Sequence, residues 1–137
     1  MKKCILAVVL FFITLFLCPA FSASAAQRSS DSMILDWQAS KAWVDHGELL
    51  VRGTFTNKRN DLLITKLEDF TIQMMFTRAD GSRYQYIGAI QKRPMLRLPA
   101  GKSKTVTLNF GPFTDDWKSW VATETYTFTY NDVSTKW

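Results

Sequence analysis

Cysteine is nearly absent from this chain. Of its 137 residues only Cys4 and Cys18 are cysteines, and both lie in an N-terminal segment with the pattern of an export leader. Residues 27–137 therefore contain none. This excludes a disulfide-stapled miniprotein, a thiol enzyme, a cysteine zinc site and a thiolate-held cluster. A domain of about 110 residues without such links is held together by packing around one core.

Histidine is equally scarce, since His46 is the single one. We predict an exposed turn residue there, because Asp45 precedes it and Gly47 follows it. One imidazole is too little for a transition-metal site or a serine triad, and no Gly-x-Ser-x-Gly motif is present. The adjacent carboxylates of Glu68-Asp69 and Asp115-Asp116 point to opposite faces of an extended chain, so neither pair forms an acid/base couple. We therefore expect no catalytic activity, no cofactor and no metal.

The first 26 residues have the order of features found in secretory signal peptides. Met1-Lys2-Lys3 supplies positive charge, Ile5–Leu17 is an apolar run of about 13 residues, and Ala23-Ser24-Ala25 provides small residues for cleavage. An uncleaved anchor fits less well because this run is short for a span of about 20 residues. Lipid attachment at the second cysteine also fits less well, since a leucine precedes it. The pattern predicts a bacterial exported protein (periplasm, cell surface or medium) without a transmembrane helix after cleavage.

After a short polar lead-in at residues 27–32, which we predict to be disordered, the dominant hydrophobic period is two. Alternating segments rich in β-branched and aromatic residues indicate half-buried strands. Asp80-Gly81 is typical of a hairpin turn, and Leu98-Pro99-Ala100-Gly101 of a second turn. One helical turn is predicted around Thr114–Trp120. The segments with strand periodicity are about 34–44, 48–57, 70–77, 83–90, 104–110 and 123–130.

About seven short antiparallel strands in residues 33–137 indicate a single all-β domain, an immunoglobulin- or fibronectin-like β-sandwich. A small closed barrel is the alternative. The inward-facing positions of the predicted strands give the expected core: Trp43, Phe55, Phe70, Ile72, Met74, Val106, Leu108, Phe110, Tyr126 and Phe128.

The order of the turns and strands also resembles a known family. Gly53-Thr54-Phe55-Thr56-Asn57 ends a strand, Asp80-Gly81 follows, and Leu98-Pro99-Ala100-Gly101-Lys102 precedes the threonine-rich strand Thr105–Phe110. Over residues 43–130 this is similar to small exported bacterial immunoglobulin-like accessory domains of the FxLYD type, although their tyrosine-containing signature is missing. The resemblance implies a β-sandwich, export and no catalysis.

Charge is distributed unevenly along the chain. The leader contains Lys2 and Lys3, so residues 27–137 contain 15 basic and 12 acidic residues. No acidic residue occurs from Arg83 to Thr114, whereas six basic ones do. This predicts a positive surface for an anionic partner; the alternative is edge-strand protection by basic side chains. The predicted compartment and modest net charge argue against nucleic acid. With Trp117, the best placed of the tryptophans to anchor a ligand, the predicted partner-binding residues are Arg83, Lys92, Arg93, Arg97, Lys102, Lys104 and Trp117.

These observations predict an exported, non-catalytic binding module of the bacterial envelope, with a wall polymer, a lipid headgroup or a protein as partner. Two alternatives stay open. Exposed tryptophans would make a carbohydrate-binding module, and a protruding Lys92–Arg97 loop would make an inhibitor of an enzyme. The oligomeric state is open as well, and an edge strand that pairs with a partner is a further way to bind.

Overall fold

The computed structural model describes residues 26–133, and all regular elements within them are β-strands. Residues 1–25, which include nearly all of the predicted leader, and residues 134–137 lie outside this description. No helix in the described part is long and apolar enough to cross a membrane. The strands are β1 (Gln27–Ser29), β2 (Leu35–Asp45), β3 (Glu48–Asn57), β4 (Leu62–Thr77), β5 (Arg83–Ala89), β6 (Met95–Leu98), β7 (Ser103–Pro112) and β8 (Ser119–Asp132).

The strands form two antiparallel sheets, which confirms the predicted β-sandwich over the closed barrel. One sheet has the order β2-β3-β7, and the other has the order β1-β8-β4-β5, with β6 also paired to β4. In immunoglobulin terms β2-β3-β7 corresponds to strands A-B-E, and β8-β4-β5 to F-C-C′. There are eight strands rather than about seven, because β1 and β6 are short segments without a visible period.

Phe70 lies at the centre of the aromatic core between the sheets. Its ring is 5.1 Å from that of Trp37, 6.0 Å from that of Phe110 and 5.5 Å from that of Tyr126, measured between centroids. The Tyr126 hydroxyl donates a hydrogen bond to the Leu35 carbonyl of the opposite sheet. Burial raises the pKa of Tyr126 to about 12. The two sheets are therefore joined both by ring packing and by a buried polar contact.

The predicted burial of Trp43 is wrong, and a β-bulge is the reason. The pairing of β2 with β3 shifts between Ala39 and Lys41, so the residues after Ser40 change faces. Trp43 then lies half-buried on the outer side, with the Lys41 and Arg52 cations about 5 Å from its ring. Trp37, and not Trp43, is the tryptophan of β2 that is buried in the core.

Trp37 also explains a glycine in the middle of β3. A Cβ atom at Gly53 would lie 2.4 Å from the Trp37 ring, so only glycine leaves room for it. Of the other predicted core residues only Val106 is not fully buried; it packs against the core from a half-buried position. The remaining eight are all buried.

The predicted disorder of residues 27–32 is also wrong. Gln27–Ser29 pairs with β8, with Arg28 opposite Thr129. Asp31 then turns the chain toward the other sheet: its carbonyl accepts hydrogen bonds from the amides of Ile34 and Leu35, and its carboxylate accepts one from Met33. A side-chain turn of this kind orders a polar segment that has no hydrophobic period.

The segment Thr114–Trp120 is not helical, contrary to the prediction. It crosses from one sheet to the other in an extended form. The Lys118 amide donates to the Thr77 carbonyl, and the Tyr84 hydroxyl donates to the Asp116 carbonyl. The rings of Phe113 and Trp117 pack against Phe76 at the two ends of this crossing. These tertiary contacts override the local capping pattern.

Candidate functional site

Five of the six predicted basic residues lie along one flank of the sandwich, where β6 meets the start of β7. We call these residues the basic flank: Lys92, Arg93, Arg97, Lys102 and Lys104. All five are exposed. They belong to the β5–β6 connection, to β6, to the Pro99–Lys102 turn and to β7, so one short stretch of chain places all of them on the same side.

Arg97 occupies an unusual backbone position within β6. Its φ angle is +47°, a left-handed conformation that residues with a Cβ rarely adopt. The pairing explains it: Ile64 lies opposite Leu98 and Lys66 opposite Met95, so β6 carries one extra residue at this point and bulges. Leu96 and Leu98 are buried on either side, while Arg97 projects into solvent. Glycine usually fills such a bulge, so the arginine there is costly for folding, and strained positions of this kind concentrate at functional sites.

Lys104 connects β7 to the same bulge. Its ammonium group donates hydrogen bonds to the carbonyls of Met95 and Leu96, at 3.4 and 3.3 Å. Lys104 therefore helps to support β6, in addition to adding charge at the flank. Lys102 lies two residues earlier, in a turn whose Gly101 amide donates to the Asn57 and Arg59 carbonyls.

Acidic neighbours neutralise little of this charge. Arg93 lies 3.9 Å from Asp69, and both side chains are more than half exposed, so the pair is weak. No ion pair within residues 26–133 involves Lys92, Arg97, Lys102 or Lys104. The flank thus presents most of its positive charge to solvent.

A residue outside the predicted set of basic residues extends the flank. Lys58 lines an open depression of about 380 Å³, together with Arg59, Asn60, Ala100 and Gly101. Arg59 is paired with Asp61 at 2.6 Å, which raises the pKa of Arg59, whereas Lys58 forms no ion pair in the described part of the chain. Three hydrogen-bond contacts bring this corner beside the flank: the Asn57 amide donates to the Lys102 carbonyl, and the Gly101 amide donates to the carbonyls of Asn57 and Arg59.

Arg83, the sixth predicted basic residue, lies elsewhere. It is opposite Thr77 at one end of β4, while Arg97 lies beside Ile64 near the other end. Thirteen residues of strand separate these positions, roughly 40 Å. Arg83 therefore does not share a surface with the basic flank.

The packing of Trp117 leaves little of its ring free for the predicted role as an exposed anchor. Its ring is half-buried, 4.7 Å from the Phe76 ring and 5.7 Å from the Phe113 ring. An edge of Trp117 still reaches a depression of about 300 Å³ lined by Arg78, Ala79, Asp80 and Asp116. Trp117 thus acts mainly as a packing residue, far from the basic flank.

The end of the sandwich around Trp117 carries most of the exposed acids. Asp115 binds Arg78 at 3.0 Å, and hydrogen bonds from the Asp116 amide and Arg78 lower the pKa of Asp115. His46 lies in the turn at this end with its side chain 91% exposed, which confirms an exposed turn residue. Asp45, Glu48, Asp80 and Asp116 lie nearby in the same loops or strand ends. The charge is thus distributed unevenly between the two ends of the sandwich. Acidic side chains are concentrated at the end opposite Lys58 and Lys102.

Within residues 26–133, no group of three histidine, cysteine, aspartate or glutamate side chains is placed to hold a metal ion. The Glu68–Asp69 carboxylates face basic partners: Glu68 lies 3.8 Å from Arg28, and Asp69 lies near Arg93.

No family model matches the chain, and no curated protein matches it. It is similar to two solved structures. A DUF1425 family member from Shewanella sp. pv-4 is 14% identical, with 74% of this chain and 88% of that chain covered and a TM-score of 0.33. The Northeast Structural Genomics Consortium target SoR45 is 13% identical, with 81% of this chain and 76% of that chain covered and a TM-score of 0.25. The resemblance to FxLYD-type domains stays a prediction. At these scores neither similarity bears on function.

Proposed function

We propose that this chain is an exported, non-catalytic binding module whose basic flank contacts an anionic partner in the bacterial envelope. The observation that carries the proposal is the gathering of exposed, largely unpaired cations on one flank, with the strained Arg97 among them. The leader pattern of residues 1–26 supports the compartment.

The electrostatic layout favours this role over simple edge protection. A few lysines spaced along a strand are enough to discourage sheet-to-sheet pairing. Here the charge continues from β6 into the Pro99–Lys102 turn and to Lys58, which lie at the end of the sandwich and not along an open ladder. The opposite end is rich in acids, so an anionic surface would attract the molecule with the flank foremost.

The two alternative functions receive less support. A carbohydrate platform needs an exposed aromatic face, and Trp117 is packed against Phe76 and Phe113. An inhibitor needs a protruding loop, but the Lys92–Arg97 segment is held close to the sandwich. The Gln91 amide donates to the Asn109 carbonyl, and the Leu67 amide donates to the Pro94 carbonyl.

Two double variants with the same loss of charge test the proposal. Arg97→Asn with Lys102→Gln removes two charges from the flank, and asparagine tolerates the left-handed backbone at position 97. Arg83→Gln with Lys118→Gln removes two exposed charges from the far end. We expect the flank variant to bind isolated cell envelopes about tenfold more weakly in co-sedimentation, since two surface contacts of 0.5–1 kcal/mol are lost. The far-end variant is expected to bind as the parent chain does.

Equal binding by both variants would refute the flank as the contact surface. Peptidoglycan sacculi and vesicles that contain phosphatidylglycerol, tested separately, identify which envelope polyanion is bound. Failure with both, but binding to whole envelopes, would indicate an acidic protein.

A further inference from the structure

One long strand edge of the five-stranded sheet is open. In an immunoglobulin sandwich the outer edge of strand F pairs with strand G. Here β8 takes the place of F, and among the described residues only the three residues of β1 pair with that outer edge, opposite Phe128–Tyr130. From Ser119 to Tyr126, β8 pairs with β4 on one side and with no described strand on the other. Alternate residues of this stretch therefore direct their N–H and C=O groups to solvent.

The turn at Asp31 explains why β1 covers so little of β8. The chain leaves the edge after Ser29, and the hydrogen bonds to the Asp31 carbonyl direct it to the opposite sheet, where Leu35 begins β2. The open stretch begins at the point of departure. It is thus a consequence of the fold's own connections within residues 26–133.

The usual protections of an edge strand are missing from this stretch. Its pairing with β4 shows no bulge from Ser119 to Tyr126, and its sequence has no lysine, arginine or proline. By comparison, β2 has the bulge near Ser40 and carries Lys41. On β7 the edge is covered, since Lys104 and Asn109 both bond to the β5–β6 region. On β5, Arg83 and an internal glycine weaken strand pairing.

The side chains of the open stretch suit contact with another strand. Val121, 69% exposed, lies on the outer face with Thr123 and Thr125. The single charged residue, Glu124, lies on the inner face, where burial and nearby Asp36 raise its pKa. The edge thus offers an uncharged outer row of β-branched residues, which favour strand pairing.

We propose that a second copy of this chain pairs antiparallel with β8 along Ser119–Tyr126. An isologous contact of this kind closes after two subunits. With the two-fold axis at Ala122, Val121 lies diagonally next to Val121 of the partner subunit, and Glu124 lies opposite Trp120 of the partner subunit. In this register the two valines share an apolar contact, and the two carboxylates are kept apart. A ribbon of about eight residues buries less than a standard interface, so the dimer is reversible and depends on concentration.

Two lysine variants on the same sheet face test this pairing. Val121→Lys places a charge on the β8 edge, next to the same charge of the partner, whereas Ile87→Lys places it on β5, where Ile87 is 63% exposed. In sedimentation velocity of the full chain, expressed so that any leader is processed, we expect the parent chain to form dimers between about 1 μM and 1 mM. Val121→Lys is expected to raise the dimer dissociation constant at least about tenfold, and Ile87→Lys is expected to leave it unchanged.

Three results would overturn the proposal: a parent chain that stays monomeric over this range, dimerisation unaffected by Val121→Lys, or equal loss in both variants. The last would assign dimerisation to the whole sheet face instead of the β8 edge.

Cross-linking tests the register. In the full chain with Cys4→Ser and Cys18→Ser, Ala122→Cys puts a thiol on the proposed axis, opposite its own copy. Mild oxidation is expected to give a disulfide-linked dimer, while Gln85→Cys on β5 stays monomeric. A dimer formed only by Gln85→Cys would contradict β8 pairing.

Discussion

Replacing Phe70 with alanine is expected to lower the free energy of unfolding by about 4 kcal/mol, because it opens a cavity at the centre of the aromatic core. Phe70 is 1% exposed, and four other rings contact it: Trp37, Phe55, Phe110 and Tyr126. Removal of the ring thus affects both sheets at once. Domains of this size have total stabilities of about 5–15 kcal/mol, so the variant would be close to unfolding.

Urea denaturation followed by tryptophan fluorescence measures this loss. Met75→Ala, on the outer face of the same strand and 37% exposed, is the matched control and should cost under about 1 kcal/mol. A loss below about 2 kcal/mol for Phe70→Ala would contradict the central position of this ring.

Asn57→Ala is expected to destabilise the protein by about 3–5 kcal/mol, since it removes three hydrogen bonds made by a fully buried side chain. Asn57 is the one fully buried polar side chain of the described part. Its amide donates to the Leu62 and Leu98 carbonyls at 2.8 and 3.1 Å, and its oxygen accepts from the Arg59 amide at 3.0 Å. One side chain thus joins the end of β3 to the start of β4 and the end of β6.

Asn60→Ala, in the same corner but exposed, provides the control and should change stability by less than about 0.5 kcal/mol. Asn57→Asp is the sharper test, because it keeps the size and the acceptor but loses both donors. Chemical denaturation of the three variants would contradict this account if Asn57→Asp were as stable as the parent chain.

Alternation predicted the strands in which more and less buried residues alternate from one end to the other, as in β3 and β5. The bounds of β3 were predicted correctly, and those of β5 were correct to one residue. Register shifts in two other strands interrupt the same alternation. At Ser40 a single extra residue reverses the faces of β2, so Trp37 and Trp43 lie on opposite faces although their spacing of six residues suggests the same one. At residues 64–69 the pairing of β4 with β6 and with β8 changes register. These shifts interrupt the alternation, so the first half of β4 was not predicted as a strand.

The basic flank could be predicted in part because Lys92 to Lys104 are close in the chain and connect neighbouring strands. The separation of Arg83 could not be predicted, since it depends on the length of β4 and on which of its ends each partner strand occupies. Lys58 lies beside the flank because backbone hydrogen bonds join Asn57 and Arg59 to the distant turn that contains Gly101 and Lys102. A hydrogen bond between residues that are distant in the chain produces no periodic pattern in the sequence. For this reason neither the position of Lys58 beside the flank nor the burial of Asn57 could be predicted.

A salt titration tests most directly whether exposed charge on the basic flank carries the binding. Surface charge contacts are screened over about 8 Å at physiological ionic strength and over shorter distances in more salt. Co-sedimentation of the full chain with isolated envelopes, measured from low to high salt, is expected to show binding that weakens steadily and is lost at about 1 M salt. Binding that persists unchanged at high salt would contradict the electrostatic account and assign the contact to apolar side chains or strand pairing.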